Sequence, residues 1–237
     1  MRAFFAVLKK ELRITFVSPL AWVFLVAFLF LAGLFFYLGV ATTGAASLRT
    51  MMANLSIALL FLLPMLTMRH FAEESRNGTL ELMMTAPVPL WSLILGKWAS
   101  SVILCAILLL GTGLFPGILA YYGEPDWGVV MTSYLGLMLC CMTFCSAGIF
   151  SSSLTDEPVA GGLLGVIFLL PFWIAGPAAE MVEAPLTRAV LREMALQTHI
   201  GALSRGVIDT ADLAWFVLLT GGFLFLTWRS VESRRWR

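Results

Sequence analysis

Between Arg13 and Arg49 the chain runs for 35 residues without a charged side chain, and shorter uncharged runs recur five more times. They cover 14–48, 50–68, 98–123, 127–155, 158–179 and 213–228. Charge is costly in hydrocarbon, and a helix needs roughly 20 apolar residues to cross it. Six spans are therefore expected, near 19–40, 50–70, 98–121, 127–150, 158–178 and 211–228. Long unbroken runs require helices, because a membrane barrel would show short alternating segments. Composition agrees: 60% of residues are hydrophobic and 12% charged, against about 25% charged in an ordinary soluble domain. The first run is too long for a signal-peptide core, so no cleavable leader is expected. The expectation is an all-α membrane protein forming a single transmembrane domain over 1–237.

Six spans place both termini on one face. That face would carry Arg2, Lys9, Lys10, Arg13, Arg69, Arg76, Lys97, Arg229, Arg234, Arg235 and Arg237, and the other only Arg49, Arg188, Arg192 and Arg205. The excess of Lys and Arg marks the cytoplasmic side, so both termini are expected there. A net charge of +1 provides no basic field for nucleic acid.

Four local segments stand out. Residues 2–16 read as a basic amphipathic helix on the membrane surface, with Phe4, Phe5, Leu8, Leu12 and Phe16 on one face and Arg2, Lys9, Lys10 and Arg13 on the other. Ser18-Pro19 turns the chain into the first span. Between spans two and three lies EESRNGTLELMMTAPV, Glu73 to Val88. Here Gly78 breaks one helix, Thr79 can cap the next, and Glu81 suits its first turn. Leu80, Met83 and Met84 share a face, and Pro87 and Pro89 stop the helix. Such a stripe needs covering by lipid, by the protein's own spans or by a partner protein. Thr155, Asp156 and Glu157 form a second short loop on the same side. The opposite side holds 179–210, with an amphipathic helix from Pro185 through Leu186, Ala189, Val190, Met194 and Leu196, then a turn around Gly201 to Ile208. It would be a structural lid or a gate.

Catalytic constellations are missing. No G-x-x-x-x-G-K-[ST] loop occurs; the pair Gly96-Lys97 has Trp91 where the first glycine belongs and Trp98 in place of Ser or Thr. His70 and His199 lie at opposite faces and make no zinc pair. Cys105, Cys140, Cys141 and Cys145 lie in apolar runs and read as small buried hydrophobes, and no metal is expected. With no Asp, Glu, Lys or Arg expected mid-span, an ion-driven transporter is disfavoured.

The pattern Glu74, Gly78, Thr79, Glu81, Thr85, Pro87 (E-x-x-x-G-T-x-E-x-x-x-T-x-P), the segment Ser204 to Asp209 (SRGVID), the tail from Leu226 to Trp236 and the six-span order together resemble the ABC-2 family of ABC transporter permeases. The flavour is that of gliding-motility or nitrous-oxide-reductase-maturation permeases, and the likeness covers essentially the whole chain. The resemblance implies a permease subunit in a prokaryotic inner membrane, most simply an exporter. Residues 2–16 would be its elbow helix. The loop between spans two and three would hold a coupling helix docking a separate P-loop ATPase, which binds ATP and Mg²⁺; this chain would carry no cofactor and no catalytic residue. Leu80, Met83 and Met84 would be buried in that contact, rimmed by Glu73, Glu74, Arg76 and Glu81, with Gly78, Thr79 and Pro87 shaping the helix. Thr155, Asp156 and Glu157 would make a second contact. Short extracytoplasmic helices would join spans five and six. A second permease copy, identical or related, would pair through spans one and five, and any large external function would need an accessory subunit. The same likeness allows an alternative, a force-transmitting membrane anchor that moves no solute.

Overall fold

The computed structural model describes residues 2–43, 48–79, 89–123 and 125–234. Eleven helices occur among them, without a β-strand: α1 (Arg2–Val17), α2 (Pro19–Thr43), α3 (Arg49–Thr67), α4 (Arg69–Arg76), α5 (Leu90–Gly111), α6 (Leu114–Tyr122), α7 (Trp127–Leu154), α8 (Pro158–Met181), α9 (Pro185–Met194), α10 (Leu196–Leu203) and α11 (Thr210–Arg234). Six stretches are long and apolar enough to cross a bilayer: α2, α3 with α4, α5 with α6, α7, α8 and α11. Backbone groups inside hydrocarbon must be satisfied within the segment, and only helix does that over single runs of this length.

Span four, α7, is the centre. It packs against α3, α5, α8 and α11. It buries residues all round its circumference, from Leu137 and Cys141 to Phe144 and Ile149. Small residues allow this. A Cβ built on Gly148 would meet the Thr67 side chain and lie 3.1 Å from the Pro64 Cα, and one on Gly165 of α8 would lie 2.8 Å from the Pro64 Cβ. Helices associate in lipid largely through such close backbone approach. Cys105 and Cys145 meet across α5 and α7 with sulfurs 3.6 Å apart, and all four cysteines are free and buried.

Span three departs from expectation at its start. It begins at Leu90, not near 98, so Lys97 lies seven residues inside the helix, about 10 Å along its axis. The helix is interrupted at Thr112-Gly113, one turn before Pro116, whose missing N–H leaves the Thr112 carbonyl without its usual i+4 donor. The Thr112 hydroxyl is held by the Leu109 carbonyl at 2.7 Å and by Tyr134 Oη at 2.9 Å.

α1 packs along α5. The contact is close because Gly96 has no side chain; a Cβ there would lie 2.7 Å from Val7 Cγ1. The face turned to the protein runs through Val7, Leu8 and Glu11, whereas Phe5, from the expected apolar face, is exposed together with Ile14 and Val17. On the far face, the expected turn from Gly201 is instead the end of α10, and the chain reverses at Gly206, whose φ of +87° favours glycine. There His199 ties α10 to α11. Its Nδ1 lies 2.6 Å from Asp212 Oδ1, its Nε2 lies 3.0 Å from the Glu193 carbonyl, and its ring stacks on Trp215 at 4.5 Å.

Candidate functional site

The face that holds both ends of the chain carries two linked polar clusters. The first starts from α4. Its first amides have no cap from Met68, the preceding residue; helix ends leave such donors unsatisfied. Ser152, at the end of α7, supplies the cap: its Oγ accepts from the amides of Phe71 and Ala72, both at 3.0 Å, and donates to the Met68 carbonyl at 2.7 Å. α4 is thereby fixed to span four. It ends at Asn77, where Gly78 takes φ +68°, a conformation that glycine adopts without steric cost.

Just beyond this helix, the second loop joins the first. Ser75 Oγ donates to Asp156 Oδ1 at 2.6 Å, and Arg234 Nη1, from the last described turn of α11, reaches Ser75 Oγ at 2.6 Å and Asp156 Oδ1 at 2.7 Å. The Ser75 hydroxyl, then Arg234, hold the Asp156 carboxyl below its usual range. Thr155 Oγ1 accepts from the Glu157 amide at 3.1 Å and shapes the loop. Arg76, Thr155, Asp156 and Glu157 line an open depression between the loops.

The second cluster is buried. Lys97 Nζ donates to Glu11 Oε1 at 2.9 Å, Glu74 Oε1 at 2.8 Å and the His70 carbonyl at 2.9 Å, which uses all three ammonium protons. The Lys97 side chain is 1% exposed. His70 closes the ring, with Nδ1 3.5 Å from Glu11 Oε2 and Nε2 2.7 Å from Ser101 Oγ. Three elements meet here: α1, α4 at the end of span two, and α5. Burial alone would push the Glu11 carboxyl up; the His70 hydrogen bond, followed by the Lys97 charge, outweighs it and holds the group at about 2.

Glu11 therefore links stability to pH. Its folded value lies below the unfolded one of 4.5, so its contribution, about 3 kcal/mol for such a shift, is present above pH 4.5 and disappears as pH falls toward 2. The stability difference between wild type and Glu11→Gln should shrink steadily from pH 5 to pH 3, measured by thermal unfolding in detergent. A difference independent of pH would place Glu11 outside the network.

Of the expected site residues, Arg76 lies beside Thr155, Asp156 and Glu157, Glu73 pairs with Arg69, Glu74 belongs to the buried ion cluster, and Gly78 and Thr79 close the end of α4. Thr79 turns its hydroxyl back to the Glu74 carbonyl at 3.2 Å, closing the preceding helix. Leu80, Glu81, Met83, Met84 and Pro87 lie outside the described residues. Among the described residues no group of three His, Cys, Asp or Glu side chains is placed to hold a metal ion. The Glu11–Lys97–Glu74–His70 cluster was missed from sequence, where Lys97 counted only as a topology charge. Two signals pointed to it. Glu11 stands four residues after Val7 and three after Leu8, on an otherwise apolar stripe, and Pro89 marks a helix start eight residues before Lys97.

Six apolar helices with paired charges gathered at the face of the chain ends define a polytopic integral membrane protein. The family model described as ABC-2 family transporter protein matches residues 5–205. The chain belongs to that family, as an ABC transporter permease subunit. No curated protein matches it.

Proposed function

We propose that the chain couples a separate P-loop ATPase to substrate export across the inner membrane of a prokaryote, with its termini and both short loops in the cytoplasm. The observation that carries this reading is the Ser75–Asp156–Arg234 junction, which gathers the two expected contact loops and the end of span six into one surface. A push on that surface reaches span four through Ser152 and spans two and three through Lys97. The charge asymmetry between the two faces supports the orientation.

Pairing with a second permease copy through spans one and five has its own support. These spans are the least buried, at 17% and 28% of their apolar windows against 33–50% for the rest. Both flank α3, whose Phe61 and Met65 are also exposed. Together they offer a continuous apolar face.

Affinity-tagged protein purified from its native membrane should bring a P-loop ATPase with it. Leu80→Asp with Met83→Asp should abolish that association while leaving the permease in the membrane, since a charge in a buried apolar contact costs several kcal/mol. An intact complex in the double variant would sink the coupling assignment.

A further inference from the structure

Behind the ion cluster, between α1, the start of α2, the end of span two, α4 and α5, lies a cavity of about 320 Å³. Its walls differ in character. Ile14, Leu20, Ala21 and Leu66 form an apolar side at the ends of spans one and two. The polar side carries Lys10, Arg69 and Lys97 against Glu11, Glu73 and Glu74. Three cations and three carboxylates sum to zero, so the lining selects neither a simple anion nor a simple cation.

The unused hydrogen-bonding capacity defines the ligand. Lys97 has no donor left. Glu74 gives Oε1 to Lys97 and Lys10, but its Oε2 is buried without a hydrogen-bond partner among the described residues. A carboxylate oxygen in that position calls for a hydrogen-bond donor, an ammonium binding it more strongly than a neutral hydroxyl, and leaving it unmet is costly. The terminal torsion of a glutamate is soft, so a small turn presents this oxygen to the cavity that Glu74 lines. At the mouth, Arg69 and Lys10 are close to half exposed. Arg69 uses its Nε on Glu73 at 3.1 Å, and a guanidinium has further N–H groups suited to a phosphate. The ligand thus needs a primary ammonium beside a phosphate, with an apolar continuation. Phe5, Ile14 and Val17 of the amphipathic α1 face outward at the span ends, the level at which lipid headgroups lie.

We propose that this cavity binds the headgroup of an aminophospholipid, with its ammonium on Glu74, its phosphate at Arg69 and Lys10, and its chains leaving along Ile14, Leu20 and Leu66. The site shares Glu73 and Glu74 with the expected rim of the ATPase contact, but lipid binding is read without an ATPase, so either assignment can fail alone. A choline headgroup carries the same charge but no N–H, so it leaves Glu74 Oε2 unmet. A glycerol headgroup adds an anion beside three carboxylates and supplies no cation.

The test is lipid binding to the full-length protein in detergent, followed by native mass spectrometry with palmitoyl-oleoyl phosphatidylethanolamine, phosphatidylcholine and phosphatidylglycerol in turn. The ethanolamine lipid should bind about tenfold more tightly than either of the others, the factor carried by one hydrogen bond to a charged acceptor. Thr15 lines the same cavity from α1 and is no member of the ion cluster, so Thr15→Trp, which fills the cavity, should erase that preference. Equal retention of the three lipids by wild type overturns the proposal without any variant. So does a preference that survives in a folded Thr15→Trp protein. Displacement of the lipid by millimolar O-phosphoethanolamine would assign the site to the free amino-phosphate and overturn the lipid.

Discussion

Lys97→Met should cost the protein about 3–5 kcal/mol, the usual penalty when one partner of a buried ion pair is removed. The side chains are of similar length, so the loss is electrostatic. Glu11 and Glu74 would remain, 7% and 14% exposed, without the ammonium that takes three acceptors at 2.8–2.9 Å. Lys10 compensates poorly, standing 3.8 Å from Glu11 and 3.4 Å from Glu74. Against a typical total stability of about 5–15 kcal/mol, this is a large fraction. Lys97→Arg should rescue little, because a planar fork does not fit three acceptors arranged around one nitrogen. Adding Glu11→Gln to Lys97→Met should recover part of the loss by removing one stranded charge. Thermal unfolding in detergent, followed by tryptophan fluorescence, reads all four proteins. If Lys97 served only as a solvated charge fixing topology, the change would stay within about 0.5 kcal/mol, and the cluster would have no structural weight.

The same residue shows what a single sequence can and cannot disclose here. The bilayer excludes charge so strongly that uncharged runs alone locate six spans, and the all-helical class follows from their length. That ruler treats every charge as a boundary. It stopped span three at Lys97 because it could not see that residues 11 and 74, distant along the chain, neutralise that charge inside the protein. Likewise the wheel of α1 gave an apolar face for the membrane surface but not the side turned to α5, where the close approach permitted by Gly96 brings in Val7 and Glu11 meets Lys97. The far-face link between His199 and Asp212 joins two helices whose packing no local pattern encodes. Residues Glu73 to Thr79 were legible as a helix end, a glycine turn and a polar stretch. Their bond to Asp156 needed the tertiary fold, since Ser75 and Asp156 are 81 positions apart.

Close helix contact gives the second large effect. Gly148→Ala adds one methyl where α7 crosses α3, and that methyl would collide with the Thr67 hydroxyl. Thr67 cannot swing away freely: its Oγ1 is bonded to the Leu63 carbonyl at 2.9 Å and the residue is fully buried. Inserting atoms into a packed interior costs typically about 1–3 kcal/mol, and the upper end is expected because the next neighbour, the Pro64 Cα at 3.1 Å, is backbone. Thr67→Ala alone should cost less, since it removes a hydroxyl whose only partners are carbonyls of its own helix. The two changes together should be more stable than Gly148→Ala alone, because the nearest obstacle has gone. The remaining deficit would measure the push on Pro64. Thermal unfolding of the three variants gives the coupling energy directly. Simple additivity, with Thr67→Ala deepening the loss, would mean that α3 and α7 are not in contact at this point. Rescue would mark the Gly148–Thr67 crossing as the place where span four, tied through Ser152 to α4, is held against span two.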